Sequence, residues 1–218
     1  MILATTAVAA QRNFLALGDS YTIGEAVPAA SRWPAQLVAA LQVHGINVTA
    51  PEIVAQTGWT TDELSQAMDA HTFHPPYALV TLSIGVNNQY RGRDLDNYRE
   101  EFRRLLERAI TLSGNQPQHV IVVSIPDWSV TRFAAESDRD TKIIARQIDA
   151  YNAANAKISS QFAVHYADVT ALSRQAADAA AMLTDDGLHP SAAQYQRWVE
   201  AILPAAQAAL SQAAGPTR

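Results

Sequence analysis

Phe14-Leu15-Ala16-Leu17-Gly18-Asp19-Ser20 is the stretch whose reading decides the fold. Four apolar residues in a row read as a strand buried on both faces, not one that alternates between core and water. Gly-Asp-Ser then places a hydroxyl just beyond the strand's carboxyl end. Alone it is ordinary turn chemistry. Its position makes it more, because open α/β sheets bind ligands outside the carboxyl ends of their strands.

Similar short apolar runs recur along the chain. Strands are expected at Phe14–Leu17, Glu52–Ala55, Ala78–Ser83, His119–Ser124 and Ala163–Tyr166. Helical segments alternate with them. Trp33–Val43 carries Pro34 in its first turn. Thr60–Ala70 opens with the capping-box pair Thr60 and Glu63. Asp94–Leu112 repeats Leu95, Tyr98, Phe102, Leu105, Leu106 and Ala109 at helical spacing. Asp140–Ser159 and Leu172–Ala180 follow, and a last helix opens with Ser191 and Gln194, again a capping box, and runs to about Leu210. Repeated βα units imply a parallel sheet with right-handed crossovers and helices on both faces, an α/β fold.

Further residues with chemistry fall at the same ends. Gly58 and Trp59 follow the second strand, Asn87 and Asn88 the third, Trp128 the fourth. Near the C-terminus, Asp186-Gly187-Leu188-His189-Pro190 puts a carboxylate three residues before an imidazole, ahead of the capped last helix. A serine, a histidine and an acid are the parts of nucleophilic acyl transfer. A glycine N–H or an asparagine amide can serve a developing oxyanion.

Composition bounds the alternatives. The 218 residues suffice for one domain with a sizeable core. The net charge of −5 argues against nucleic acid as a partner. The absence of cysteine removes disulfides, thiolate catalysis and cysteine metal sites. His71 and His74 stand at i, i+3 without a third ligand nearby, so no metal site is assigned. No apolar run approaches the roughly 20 residues of a membrane span, so no integral membrane association is expected. Residues 1–13 read as an N-terminal extension or the remnant of a signal sequence, and 14–212 as a single domain. The first ten residues lack the basic start of a secretory signal but contain a small-residue Ala7-Val8-Ala9. Localisation therefore stays open between a soluble cytoplasmic protein and an exported one, and the oligomeric state is open too.

With Gly18-Asp19-Ser20, Gly58, Asn87 and Asp186…His189 in this order, the chain resembles the SGNH hydrolases, also called GDSL-type esterases and lipases, over nearly its whole length. The resemblance implies a three-layer α/β/α sandwich on a five-stranded parallel sheet, flavodoxin-like in order. It implies a carboxylic-ester hydrolase with Ser20 as nucleophile, His189 as general base, then acid, and Asp186, rather than the adjacent Asp185, orienting the imidazole. The oxyanion hole would comprise the N–H groups of Ser20 and Gly58 and the Asn87 side-chain amide. No cofactor and no metal are implied, and the partner is a small-molecule ester, short- to medium-chain or acetyl. Tyr21, Trp59, Asn88 and Trp128 are candidate pocket residues. Two departures stand out. Tyr21 replaces the usual Leu, which alters a pocket wall. Asn88 replaces the usual Asp, which keeps hydrogen-bonding capacity and loses a charge, so Asn88→Asp is expected to be tolerated. The alternatives are a lysophospholipase or acyl-thioesterase of the same family and, from another class, a non-catalytic ligand-binding domain on this fold. A nucleotide binder is disfavoured, since neither Gly-x-Gly-x-x-Gly nor a P-loop occurs.

Overall fold

The structure, a computed structural model, describes residues 12–175 and 180–211. Five strands form one all-parallel sheet: β1 (Phe14–Gly18), β2 (Glu52–Ala55), β3 (Leu79–Ser83), β4 (Val120–Val123) and β5 (His165–Ala167). Their order is β2-β1-β3-β4-β5. This is the flavodoxin-like order, whose switch point lies between β1 and β3. β1 lies between β2 and β3 and is wholly buried, as its unbroken apolar run requires.

The longer helices are α2 (Trp33–Val43), α3 (Thr61–Ala70), α5 (Leu95–Leu112), α7 (Thr141–Gln161) and α9 (Ala192–Ser211). α2 packs along α9, and α5 packs against both α3 and α7. Right-handed crossovers put the first pair on one face of the sheet and the other three on the opposite face. Short helices sit between them: α1 (Ser20–Ile23), α4 (Val86–Tyr90), α6 (Arg132–Ala135) and α8 (Thr170–Gln175). Trp33, Trp198, Phe14, Phe102 and Tyr98 are among the largest side chains sealed into the core. No helix among the described residues is long and apolar enough to cross a membrane.

Local chemistry sets the ends. Thr60 and Glu63 form the expected capping box, with the Thr60 N–H donating to Glu63 Oε2 at 2.9 Å. Asp94 and Asp140 accept the first free N–H groups of α5 and α7. At Ser191 only half the expected box forms. Gln194 N–H donates to Ser191 Oγ at 3.4 Å, while Gln194 Oε1 is buried without a partner. The expected fifth strand shifts to His165–Ala167, because Ala163 adopts a positive φ of 54° in the turn that ends α7. His119 leaves the expected fourth strand for a 3-10 turn at Pro117–His119. The helix expected over Leu172–Ala180 begins earlier, at Thr170, and its residues 176–179 lie outside the described residues, as do 1–11 and 212–218.

Candidate active site

Ser20 is the first residue of α1, immediately past β1. Asp19 caps this short helix, accepting the Tyr21 N–H at 3.0 Å. Gly18 has to be glycine. A Cβ there would stand 2.2 Å from Thr22 Oγ1 and 2.6 Å from the Ser83 carbonyl, so any side chain would push α1 off β3. Asp19 is 2% exposed. Burial pushes its carboxyl up from 3.8 to about 7, against the opposing pull of the amides of Tyr21, Asp19 and Gly85. Its place is under the serine turn.

His189 and Asp186 come from one tight loop. Leu183 and Pro190 bridge antiparallel across its base, and Thr184 N–H donates to the His189 carbonyl at 2.8 Å. Inside it, His189 Nδ1 lies 2.7 Å from Asp186 Oδ2. Asp186 Oδ1 accepts from the Thr184 hydroxyl at 2.7 Å and from the N–H groups of Leu188 and His189 at 2.8 and 2.9 Å. Partial burial works to raise the Asp186 carboxyl, but these bonds outweigh it and bring it from 3.8 down to about 2. It is therefore ionised at neutral pH. The adjacent Asp185 meets Arg132 Nη2 through its carbonyl, at 2.7 Å, and not through its carboxylate. The Phe133 N–H donates to the Gly187 carbonyl at 3.0 Å, so α6 anchors the loop.

Gly58 lies in the loop after β2 with φ of +87°, a left-handed conformation that favours glycine. Asn87 stands on α4, after β3. Its Nδ2 donates one hydrogen to the Trp59 carbonyl at 2.9 Å. The amide's second hydrogen is left for the cavity. Asn88 is fully buried. Its Oδ1 accepts the Thr61 N–H at 3.1 Å, and its Nδ2 donates to Thr61 Oγ1 at 2.6 Å. The Thr61 hydroxyl in turn donates to Glu101.

These pieces surround one cavity of about 240 Å³. Ser20, Thr57, Gly58, Asn87 and His189 make its polar end; Tyr21, Val86, Tyr90, Trp128, Phe133 and Leu188 make the rest. Ser20 Oγ holds no hydrogen bond to another described residue; in a ligand-free site such bonds tighten only when substrate binds. Tyr21 packs its ring 5.5 Å from the His189 imidazole, so the residue in place of the usual Leu braces the histidine. Tyr90, Trp128 and Phe133 form an aromatic wall, with centroids 5.5, 6.1 and 6.5 Å apart. Trp128 is locked by its N–H to Gln89 Oε1 at 2.8 Å. The Arg139 guanidinium lies 4.0 Å over the Tyr90 ring and donates to the Tyr90 carbonyl at 2.7 Å.

Of the sequence candidates, Ser20, Tyr21, Gly58, Asn87, Trp128 and His189 line the cavity, and Asp186 stands directly behind His189. Trp59 and Asn88 do not line it. Trp59 packs its side chain against the core and contributes its carbonyl to Asn87, while Asn88 points into the protein toward Thr61. Thr57, Val86, Tyr90, Phe133 and Leu188 were not singled out from the sequence. Thr57, Val86 and Leu188 neighbour motif residues in the chain, which is the signal that was there to use, and Tyr90 lies one helical turn beyond Asn87. Phe133 had only its place downstream of the fourth strand. Among the described residues, no group of three or more His, Asp or Glu side chains is placed to hold a metal ion.

Solved structures share this architecture. TesA superposes with a TM-score of 0.72 at 19% identity, covering 91% of this chain and all of TesA. The psychrotrophic esterase EstA from Pseudoalteromonas sp. gives 0.71 at 13% identity, covering 92% of this chain and 100% of its own. Axe2, an acetylxylan esterase from Geobacillus stearothermophilus, gives 0.68 at 19% identity over 89% of this chain and 94% of its own. At these identities the likeness establishes the fold. No curated protein sequence matches the chain. The family model for GDSL-like lipases and acylhydrolases matches residues 16–197, from β1 well into α9. That span takes in the end of β1, the other four strands and the whole cavity lining, and on it this chain belongs to the GDSL-like lipase/acylhydrolase family of serine ester hydrolases.

Proposed function

We propose that the chain is a carboxylic-ester hydrolase in which Ser20 attacks the substrate carbonyl. Ser20 Oγ bonds to the carbonyl carbon, its proton passes to His189 Nε2, and the carbonyl π electrons move onto oxygen. Asp186, held ionised, fixes the imidazole through Nδ1 and stabilises the imidazolium. The oxyanion is met by the N–H groups of Ser20 and Gly58 and by the second hydrogen of Asn87 Nδ2. Collapse expels the alcohol, which takes the proton from His189. Water then repeats the sequence on the acyl-enzyme and releases the acid and Ser20. The observation that carries this reading is the convergence of Ser20, Gly58, Asn87 and His189 on one cavity, with Asp186 bonded behind His189.

The cavity also bears on the substrate. Its volume lies below the roughly 300–1,000 Å³ of most ligand pockets, which supports a short- to medium-chain ester. Val86 and Leu188 beside the aromatic wall supply no hydrogen-bonding side chain, which supports an apolar acyl group against them.

The test is hydrolysis of a p-nitrophenyl ester series of increasing acyl length. kcat/KM should peak at short to medium chains. Ser20→Ala should lower kcat by roughly 10³-fold or more, and Asn87→Ala by roughly 10²–10³-fold with little change in KM. Near-wild-type turnover by Ser20→Ala would overturn the serine mechanism.

A further inference from the structure

We propose that Arg91 is a positioning residue of the oxyanion hole, holding the Gly58–Trp59 peptide, and through it the adjoining Gly58 N–H, in register with Asn87. The inference rests on the reading of Gly58 and Asn87 as oxyanion donors. A donor of this kind is effective only when it is already in place as charge develops. The Gly58 N–H sits in a loop that has little to hold it from within. Gly58 has no side chain and adopts a positive φ, and the loop's own backbone bond, Trp59 N–H to the Gln56 carbonyl, is long at 3.3 Å.

The hold comes from outside. Arg91 Nη2 donates to the Gly58 carbonyl at 2.6 Å. Arg91 Nη1 donates to Glu63 Oε1 at 3.2 Å, and Glu63 Oε2 accepts the Thr60 N–H at 2.9 Å. One planar guanidinium therefore ties the loop at residue 58 and, through Glu63, at residue 60. Asn87 Nδ2 holds the carbonyl between them, at Trp59. On the other side of the donor peptide, the Thr57 hydroxyl is bonded to Glu25. Asn87 and Arg91 stand four residues apart on one helical turn, closed by the Arg91 N–H on the Asn87 carbonyl at 2.9 Å. They therefore face the same loop. One donor is the Asn87 side chain itself, and the other is fixed by the next residue along that face.

The Arg91 side chain is 42% exposed, so water screens its charge and the fork geometry matters more than the field. A lysine would keep the charge but has no planar fork with which to reach both the carbonyl and Glu63.

The experiment compares Arg91→Ala and Arg91→Lys with wild type and Ser20→Ala on a p-nitrophenyl ester. Rates of wild type and the Arg91 variants are expressed per active site titrated by a phosphonate ester, that of Ser20→Ala per mole of folded protein, and melting temperature is measured alongside. Arg91→Ala should lower kcat per site by roughly 10- to 100-fold, less than removal of a donor outright, with KM within about twofold. Phosphonylation of Ser20 should slow in parallel, because its phosphoryl oxygen occupies the same hole. Arg91→Lys should recover part of the loss. A kcat per site within about twofold of wild type would overturn the proposal, as would a loss confined to KM or one that follows melting temperature alone. If Ser20→Ala is inactive while both Arg91 variants are normal, only this inference fails. If Ser20→Ala is active, the proposed function fails with it.

Discussion

Asn88→Asp restores the acid that this family usually carries, yet the structure predicts that it is costly. Asn88 is 0% exposed and makes a reciprocal pair with Thr61, accepting its N–H and donating to its hydroxyl oxygen. The single proton of that hydroxyl already lies on Glu101. A carboxylate at 88 keeps the Thr61 N–H but turns a donor into an acceptor. Thr61 must then abandon Glu101 or leave the new oxygen unpaired. An unmet buried acceptor costs about 1–3 kcal/mol, more when charged, so the net loss should be about 3 kcal/mol. For a chain of this length that corresponds to a melting temperature lower by roughly 6–12 °C. Burial raises the new carboxyl's pKa in the folded state. Its protonated form therefore contributes stability below the unfolded value, and this is lost as pH rises through the folded value. Melts followed by circular dichroism should show a small deficit at about pH 4, about half of it at about pH 5 and the full deficit at about pH 8. Glu101→Gln in the same protein should recover part of it by freeing the Thr61 proton. A melting temperature at about pH 8 within about 2 °C of wild type would refute the argument.

Two further outcomes follow from the carboxylates. Asp186→Asn should leave His189 in place but favour the wrong tautomer, lowering kcat by roughly 10²–10⁴-fold, while Asp185→Ala should be nearly silent, since only the Asp185 carbonyl makes a bond; the reverse ranking in a kcat comparison would assign the acid to Asp185. Asp19, raised to about 7, keeps its proton in the folded chain where the unfolded chain has lost it, so its contribution to stability falls as pH rises from about 4 to about 7. Asp19→Asn should flatten that slope in melts across the same range, and an unchanged slope would show that Asp19 does not titrate there.

Much of the architecture was legible because β1 and β4 are unbroken apolar runs, β3 is interrupted by only one residue before its end, Thr81, and the long helices α3, α5 and α7 carry their caps in the sequence. Helices of four or five residues were not. α1, α4 and α6 are too short to show a period, and they exist because the motif residues they carry are fixed by tertiary contacts. Ser191 and Gln194 illustrate a different limit. The spacing was right for a capping box, but burial of Gln194 turned its side chain elsewhere. In the site, residue type and order located Ser20, Gly58, Asn87, Asp186 and His189 at one edge of the sheet, because the fold brings strand ends together whatever the loops contain. Direction was what the sequence withheld. Trp59 and Asn88 stand beside motif residues yet face inward, and Phe133 enters the cavity from α6. Tyr90 was hidden for the same reason, since one residue's shift along a helical turn moves a side chain from core to cavity.

The loop that carries Asp186 and His189 is closed at its base by its own backbone bonds, so the acid–base pair is a cassette that travels as one piece. Its internal distance is set within four consecutive residues, whereas its distance from Ser20 depends on how the cassette seats against α1 and α6. On the proposed mechanism, turnover depends on that docking as well as on the loop at Gly58, and α6 is the latch on the cassette through Arg132 and Phe133. Mild heating, or a weakened latch, should undock the cassette and silence turnover while the His189–Asp186 bond survives. Such inactivation would reverse on cooling without refolding.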